Sequence, residues 1–243
     1  MDHLRHPTQD AQQQIQQALR LCPLFADWPP ARVAELAAAS RLRRYPRRTL
    51  FDVRGSERKD VLVVASGSIE VVTTNASGDK YILAVLGPGQ VTKLVLLLER
   101  VPMLFGCHAR EDAEIVHVPG AVLRQVLDAE PMLWRGLALF MLRRYRRSVE
   151  ILESQALGSV RRRLAVMLVM LAHRYGAGEA GACDTELRMS QAELADMLGI
   201  SRQTVSKELE GLKAEGLLGW SEGYRQISLR DIPGLLRVAE NDD

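Results

Sequence analysis

"MSQAELADMLGISRQTVSKELEGLKAEGLL" (residues 189–218) spells out two short helices and the turn between them. Ser190, with Glu193 three residues on, is the pairing of a capping box, in which each side chain satisfies the other's backbone N–H at a helix start. Leu194 and Leu198 fall on the inner face, and small Ala195 lets a second helix cross closely. Gly199 supplies the turn and Ser201 caps the next helix. On that helix Val205, Leu209 and Leu212 recur at three- and four-residue steps and predict a buried face, while Arg202, Gln203, Ser206 and Lys207 point the other way. This outer face is what a DNA major groove calls for: a forked Arg for guanine, an amide for adenine, and a Lys. An ordinary helical hairpin with a solvated face leaves the coincidence of cap, small residue, glycine, cap and apolar triplet unexplained. "LLGWSEGYRQISL" (217–229) follows as two short strands around Glu222-Gly223, a wing beside the second helix. Arg202, Gln203 and Lys207 are therefore the candidate base contacts, with Ser190, Gln191, Ser201, Thr204 and Ser206 beside them.

The rest of the chain is what such a module would need around it. Its 243 residues are comfortable for two domains, and a composition 47% hydrophobic and 26% charged is that of a soluble globular protein. The net charge of +2 drives the whole chain onto neither nucleic acid nor membrane, so a basic footprint has to be local. Cys22, Cys107 and Cys183 form no CxxC pair, and an odd count argues against a disulfide framework. The polar start "MDHLRHPTQDAQQQIQQ" predicts no signal peptide, and the longest apolar run, "LAVMLVMLA" (164–172), is far too short to span a bilayer. These features predict a cytoplasmic protein without a membrane partner. No nucleophile–base set, paired carboxylates or metal-ligand spacing suggests an enzyme.

The texture changes along the chain and predicts an α+β fold. Residues 1–20 read as a polar, Gln-rich helix or arm. A second helix follows the Pro29-Pro30 break. Short β-rich runs, "VLVVA" (61–65), "SIEVVTT" (68–74), "YILAVL" (81–86) and "AEIVHV" (113–118), alternate with turns at Gly55, Gly67, Gly78 and Gly87, so residues 21–130 read as a compact antiparallel roll. The turn Gly87-Pro88-Gly89 is one that can expose backbone N–H groups to an anion. Residues 131–157 then form one long helix. Its stripe of Leu137, Met141, Tyr145, Ser148, Leu152 and Ala156 is expected to pack against a second copy, the alternative being packing against its own roll. "LGSV" (157–160) reads as a hinge into residues 158–243.

A β-roll, a long helix and a winged helix-turn-helix resemble the cyclic-AMP receptor protein / fumarate–nitrate reduction regulator (CRP/FNR) family. "ILAVLGPGQ" (82–90), "EDAEIVHVP" (111–119) and "LADMLGISRQTVSKELEGLKAEGLL" (194–218) are similar to family blocks almost position by position. The resemblance implies a roll like that of cyclic-nucleotide-binding domains. It also implies a homodimer on a two-fold symmetric operator, with double-stranded DNA and RNA polymerase as partners. The family's base-contacting positions fall on Arg202, Gln203 and Lys207. The middle one is most often Glu in the family, and an amide cannot simply accept from a cytosine amine as Glu does, so the half-site is expected to differ there from a TGTGA-like sequence.

In cyclic-AMP-binding members a Phe-Gly-Glu-Leu block and a later Arg-Ser-Ala hold the nucleotide. Laid over this chain, Gly-Glu becomes Lys93-Leu94 and Arg-Ser becomes Met103-Leu104, so both polar anchors are missing. A buried phosphate opposite Met103 would lack its partner, and a lone Lys93 does not replace a bidentate fork. Arg48 stands where the family usually has Gly, and Asp52 where a strand aromatic is common.

Three readings of the roll stay open. One is an apolar or aromatic effector between Lys93, Leu94, Met103, Leu104 and the long helix at Tyr145, Ser148 and Val149. Another is a roll that binds nothing, with no cofactor required. The third is a haem or metal centre, against which Cys107 and His108 would point to opposite faces of a strand, with His117 and His173 as isolated histidines. The run "RRYRR" (143–147) is either a solvated helix side or a site for an anionic effector such as a cyclic dinucleotide, and Arg161, Arg162 and Arg163 are either phosphate contacts or helix flank. A cyclic-nucleotide-type binding module without DNA function is the rival reading of the whole.

Overall fold

Residues 61–64, Val-Leu-Val-Val, do not alternate with polar residues because their strand is covered on both sides. In the computed structural model, which describes residues 9–53, 59–75, 80–98, 103–175, 185–221 and 226–240, all four are buried. Gly55, Gly78, Cys183, the Glu222-Gly223 turn and the His173 side chain lie outside the described residues. Contacts divide the chain into two units, residues 1–77 with 83–142 and residues 78–82 with 143–243.

The first unit opens with α1 (Gln9–Leu21) and α2 (Pro30–Ala39). Strands β1 (Arg41–Tyr45), β2 (Leu50–Asp52), β3 (Asp60–Ser66), β4 (Ile69–Thr74), β5 (Lys80–Leu86) and β6 (Val91–Thr92) follow. A turn of 3₁₀ helix (Leu94–Leu97) then precedes β7 (Gly106–Ala109), β8 (Ala113–Pro119) and α3 (Gly120–Ala129). The strands make two antiparallel sheets, in the orders β1-β8-β3-β6 and β2-β7-β4-β5. Leu62, Val64 and Ile115 face inward and meet Ile69, Val71 and Cys107 between the sheets. Val61, Val63, Val116 and Val118 face the other way, onto Ile15, Leu19, Leu36, Leu123 and Leu127 of the helices. The period of two thus feeds two cores from one strand.

Two expectations need correcting. The Gln-rich α1 is no free polar arm: Ile15, Ala18 and Leu19, three and four residues apart, are buried in the roll's own core. In the long helix α4 (Pro131–Leu157), Leu137 does not join an open stripe. It is only 5% exposed and packs into the same core, beside Leu133, Trp134 and Phe140. Beyond that point the stripe is open, with Met141 39%, Tyr145 67% and Leu152 65% exposed, and with Ser148 and Ala156 exposed between them.

The second unit continues from α4 through α5 (Val160–Tyr175), β9 (Thr185–Leu187), α6 (Gln191–Leu198), α7 (Arg202–Ala214), β10 (Leu218–Ser221), β11 (Gln226–Leu229) and α8 (Ile232–Glu240). The break between α4 and α5 falls at Gly158 and Ser159. The Gly158 N–H donates to the Ser154 carbonyl at 2.9 Å, and the Ser159 hydroxyl accepts from the Arg162 N–H at 3.2 Å. The strands β10 and β11 pair antiparallel as the expected wing. A third strand, β9, joins them in the order β10-β11-β9. Its three residues are too short a run to announce a strand in sequence.

Candidate nucleic-acid interface

Helices α6 and α7 are set by their end groups. The Glu193 N–H donates to the Ser190 hydroxyl oxygen at 3.2 Å, and the Ser190 N–H donates to Glu193 Oε2 at 2.7 Å, so the capping box is complete. Gly199 ends α6 at φ 65°, the left-handed region where a Cβ is costly. Ser201 then accepts from the Thr204 N–H at 3.1 Å and meets the Thr204 hydroxyl at 2.8 Å. Val205, Leu209 and Leu212 are fully buried, so the rotation of α7 about its axis is fixed. That rotation leaves Arg202, Gln203 and Lys207 exposed on one side, with Ser206 half-buried among them. Ser190, Ser201 and Thr204 spend their side chains on the helix starts, and Gln191 opens α6 half-buried. The wing is tied to the same helix, because Trp220 Nε1 donates to Glu210 Oε1 at 3.1 Å. That hydrogen bond, with a second from Lys213, holds the Glu210 carboxyl below the usual carboxylate range.

The three arginines that open α5 are spent within the unit rather than held ready for phosphate. Arg161 pairs with Glu215, Arg162 Nε donates to the Ala239 carbonyl at 2.9 Å, and Arg163 Nη2 donates to the Leu198 carbonyl at 2.6 Å. The last of these puts a cation on the carbonyl end of α6, where the helix dipole favours it.

In the roll, the Gly87–Gln90 turn presents no N–H cradle. The Gly87 N–H donates to Gln90 Oε1, the Gly89 N–H to the Val64 carbonyl and the Gln90 N–H to the Gly87 carbonyl. Gly89 sits at φ 75°, and a Cβ there would lie 2.7 Å from the Leu21 carbonyl oxygen, so this glycine serves the close approach of α1. Lys93 does turn inward, but to a partner of its own. Its Nζ lies 2.6 Å from Asp52 Oδ2, with the two side chains 1% and 6% exposed. Sequence reasoning noticed Lys93 and Asp52 separately and missed that they meet. The only signal was two lone charges in apolar runs.

The other residues expected at an effector pocket are dispersed in character. Leu94 and Met103 are buried at 6% and 3%, while Leu104 is 71% exposed and not a wall of an enclosed pocket. On α4, Tyr145 and Val149 are exposed and the Ser148 hydroxyl donates to the Arg144 carbonyl at 3.1 Å. Burial pushes the Cys107 thiol up to about 12, with Asp52 adding to the rise and Lys93 opposing it. A thiol held protonated is a poor metal ligand, and His108, next on the strand, is half-buried on the other face. His117 is buried between Tyr45, whose hydroxyl lies 2.9 Å from Nε2, and Asp60, 3.5 Å from Nδ1. The ring beside it holds the Asp60 carboxyl below its ordinary range. Among the described residues, no three His, Cys, Asp or Glu side chains gather where a metal ion could sit.

Comparison with known proteins agrees with both units. Residues 42–130 match the model of the cyclic nucleotide-binding domain, and residues 162–238 match that of the Crp-like helix-turn-helix domain. The cyclic AMP receptor protein of Thermus thermophilus is 28% identical over 205 residues, 84% of this chain and 92% of its own length. Among solved structures, FixK2 from Bradyrhizobium japonicum superposes with a TM-score of 0.71 at 23% identity, covering 82% of this chain and 96% of its own. The c-di-GMP responsive regulator CLP of Xanthomonas campestris gives 0.68 at 22% identity, covering 83% and 99%. These two likenesses are of fold. With a cyclic-nucleotide-binding roll and a Crp-like helix-turn-helix in this order on one chain, the protein belongs to the CRP/FNR family of transcription regulators.

Proposed function

We propose that this regulator binds a two-fold symmetric DNA operator as a homodimer, reading each half-site with α7, and that its roll takes no cyclic AMP. The observation that carries the DNA reading is the exposed row Arg202, Gln203 and Lys207 on a helix whose opposite face is fully buried. The open half of the α4 stripe, Met141, Tyr145, Ser148, Leu152 and Ala156, is the surface a second copy would cover. RNA polymerase is the further partner this reading carries. Replacing Arg202 with Ala should cost about 1–3 kcal/mol at one base pair and relax specificity there, measured by fluorescence anisotropy on operators varied one pair at a time. Equal loss on every sequence would make Arg202 a phosphate contact, and no salt-dependent binding to any duplex would overturn the DNA reading.

The reading of the roll rests on Lys93 and Asp52. Lys93, which stands in the stretch that matches the family's nucleotide-binding block, is already paired with Asp52, and Met103 offers no cation where the family has Arg. A ligand at one hundred times its Kd adds about 2.7 kcal/mol to stability. Cyclic AMP at millimolar concentration should therefore leave the melting temperature unmoved, and a rise of several degrees would sink this reading. Leu94 packs into the roll's own core beside Leu97, Val91 and Val63, which favours a roll that binds nothing over one lined for an apolar effector.

A further inference from the structure

The helical unit contains a cavity of about 570 Å³ between the far half of α4 and helices α5 and α8. Its floor is apolar, with Val166, Val169 and Met170 from α5 and Leu236 from α8. Its rim is Arg143, Arg146 and Arg147 with Glu150, all four exposed, so the rim carries three positive charges against one negative. These four stand at positions i, i+3, i+4 and i+7 of α4, one face of the helix. At about 100° per residue, that face lies roughly 200° around the helix from Tyr145, so burying the apolar stripe leaves the cavity open.

The arginines are what set this cavity apart. Among the described residues, none of Arg143, Arg146 and Arg147 forms an ion pair or a side-chain hydrogen bond. The neighbouring cleft of about 640 Å³ is lined by arginines too, but their charges are spent. Arg161 is on Glu215, Arg237 on Asp231 at 3.4 Å, and Arg162 on the Ala239 carbonyl. Unpaired guanidinium groups over an apolar floor, in a volume within the usual ligand range of roughly 300–1,000 Å³, are complementary to one chemistry. We propose that this cavity binds a small amphipathic anion, an anionic head held by the arginines and an acyl or aryl body laid on α5 and α8. Such a ligand would bridge the two sides of the Gly158-Ser159 break and so fix the angle between α4 and α5. The consequence for operator binding rests on the dimeric reading above, whereas the binding itself does not.

The test is isothermal titration of the full chain, without DNA, using dodecanoate, dodecyl phosphate, dodecanol and inorganic phosphate below micellar concentrations. We expect one anionic amphiphile to bind saturably, one per chain, with dodecanol and inorganic phosphate at least about tenfold weaker. Whether the carboxylate or the phosphate binds more tightly identifies the head. The double variant Arg146→Glu, Arg147→Glu should lose roughly a hundredfold, about tenfold per guanidinium. Ala239→Trp, which fills the cavity with the arginines intact, should abolish binding and serves if the first variant fails to fold. Equal binding of dodecanol, affinity unchanged in both variants, or no binding by either anion would each overturn the proposal. Operator binding by the same samples is read separately, so a protein that binds DNA but no amphiphile condemns only this cavity.

Discussion

The two units meet the same backbone demand in different ways. In the helix-turn-helix unit the described left-handed positions are Gly199 and Gly216, each at a helix end where the chain must turn sharply. The roll also uses glycine at Gly67 and Gly89, where an added Cβ would lie 2.2 Å and 2.7 Å from backbone oxygens. Yet it places Arg48 at φ 66° and Lys93 at φ 68°, conformations that disfavour any residue with a Cβ by about 1–2 kcal/mol. Arg48 stands where the family usually has Gly, and Lys93 where the nucleotide-binding block has one. Two left-handed positions of the roll thus carry side chains where the family usually has glycine. The described left-handed positions of the DNA-reading unit are both glycine, and its departure from the family, Gln203, lies on the exposed face of α7 instead.

The largest effect expected from this contrast is at Lys93. Its removal strands the Asp52 carboxylate in a site 6% exposed, and breaking a buried pair from one side costs about 3–5 kcal/mol. Lys93→Ala should therefore lower the stability of the full chain by that amount in urea unfolding followed by tryptophan fluorescence. The paired replacement Asp52→Leu, Lys93→Met removes both charges at similar volume and should be neutral or stabilising. If the single variant were harmless, Lys93 and Asp52 would not be joined as described, and the roll would have a cation to offer after all. At the other end of the comparison, Gly199→Ala forces a Cβ into the left-handed turn between α6 and α7. It should cost about 1–2 kcal/mol and weaken operator binding, read by melting and by anisotropy on one sample.

What was legible in the sequence divides along the same line. Capping box, turn glycine, second cap and apolar triplet act within a few residues of one another, so residues 190–212 declared their structure by spacing alone. The roll's strands were legible as elements, but its site was not. Asp52 on β2 and Lys93 after β6 meet only through the fold, and no local period connects them. The α4 stripe shows a different limit. Periodicity finds the apolar face, but Leu137 and Met141 lie one turn apart, and only the fold shows that the roll covers the first and not the second. In α1, the abundance of Gln hid a buried face of three residues. The role of Arg163 is hidden from the sequence because the carbonyl it serves, that of Leu198, belongs to a helix more than thirty residues on.

The smallest expected effect is the sharpest test of the comparison. Arg48 is exposed, and its N–H donates to the Ala109 carbonyl at 2.7 Å, a bond that glycine would keep. Arg48→Gly relieves the left-handed strain, about 1–2 kcal/mol, and gives back roughly 0.5–1 kcal/mol through the freer unfolded chain. The net should be a gain of about 0.5 kcal/mol, a rise in Tm of a few degrees or less for the roll. The same exchange at Lys93 would have the opposite sign, because relief of strain there is outweighed by the stranded Asp52. Two arginine- or lysine-to-glycine changes at nearly equal φ should thus move stability in opposite directions. A loss at both sites would mean that the Arg48 side chain has a stabilising role of its own.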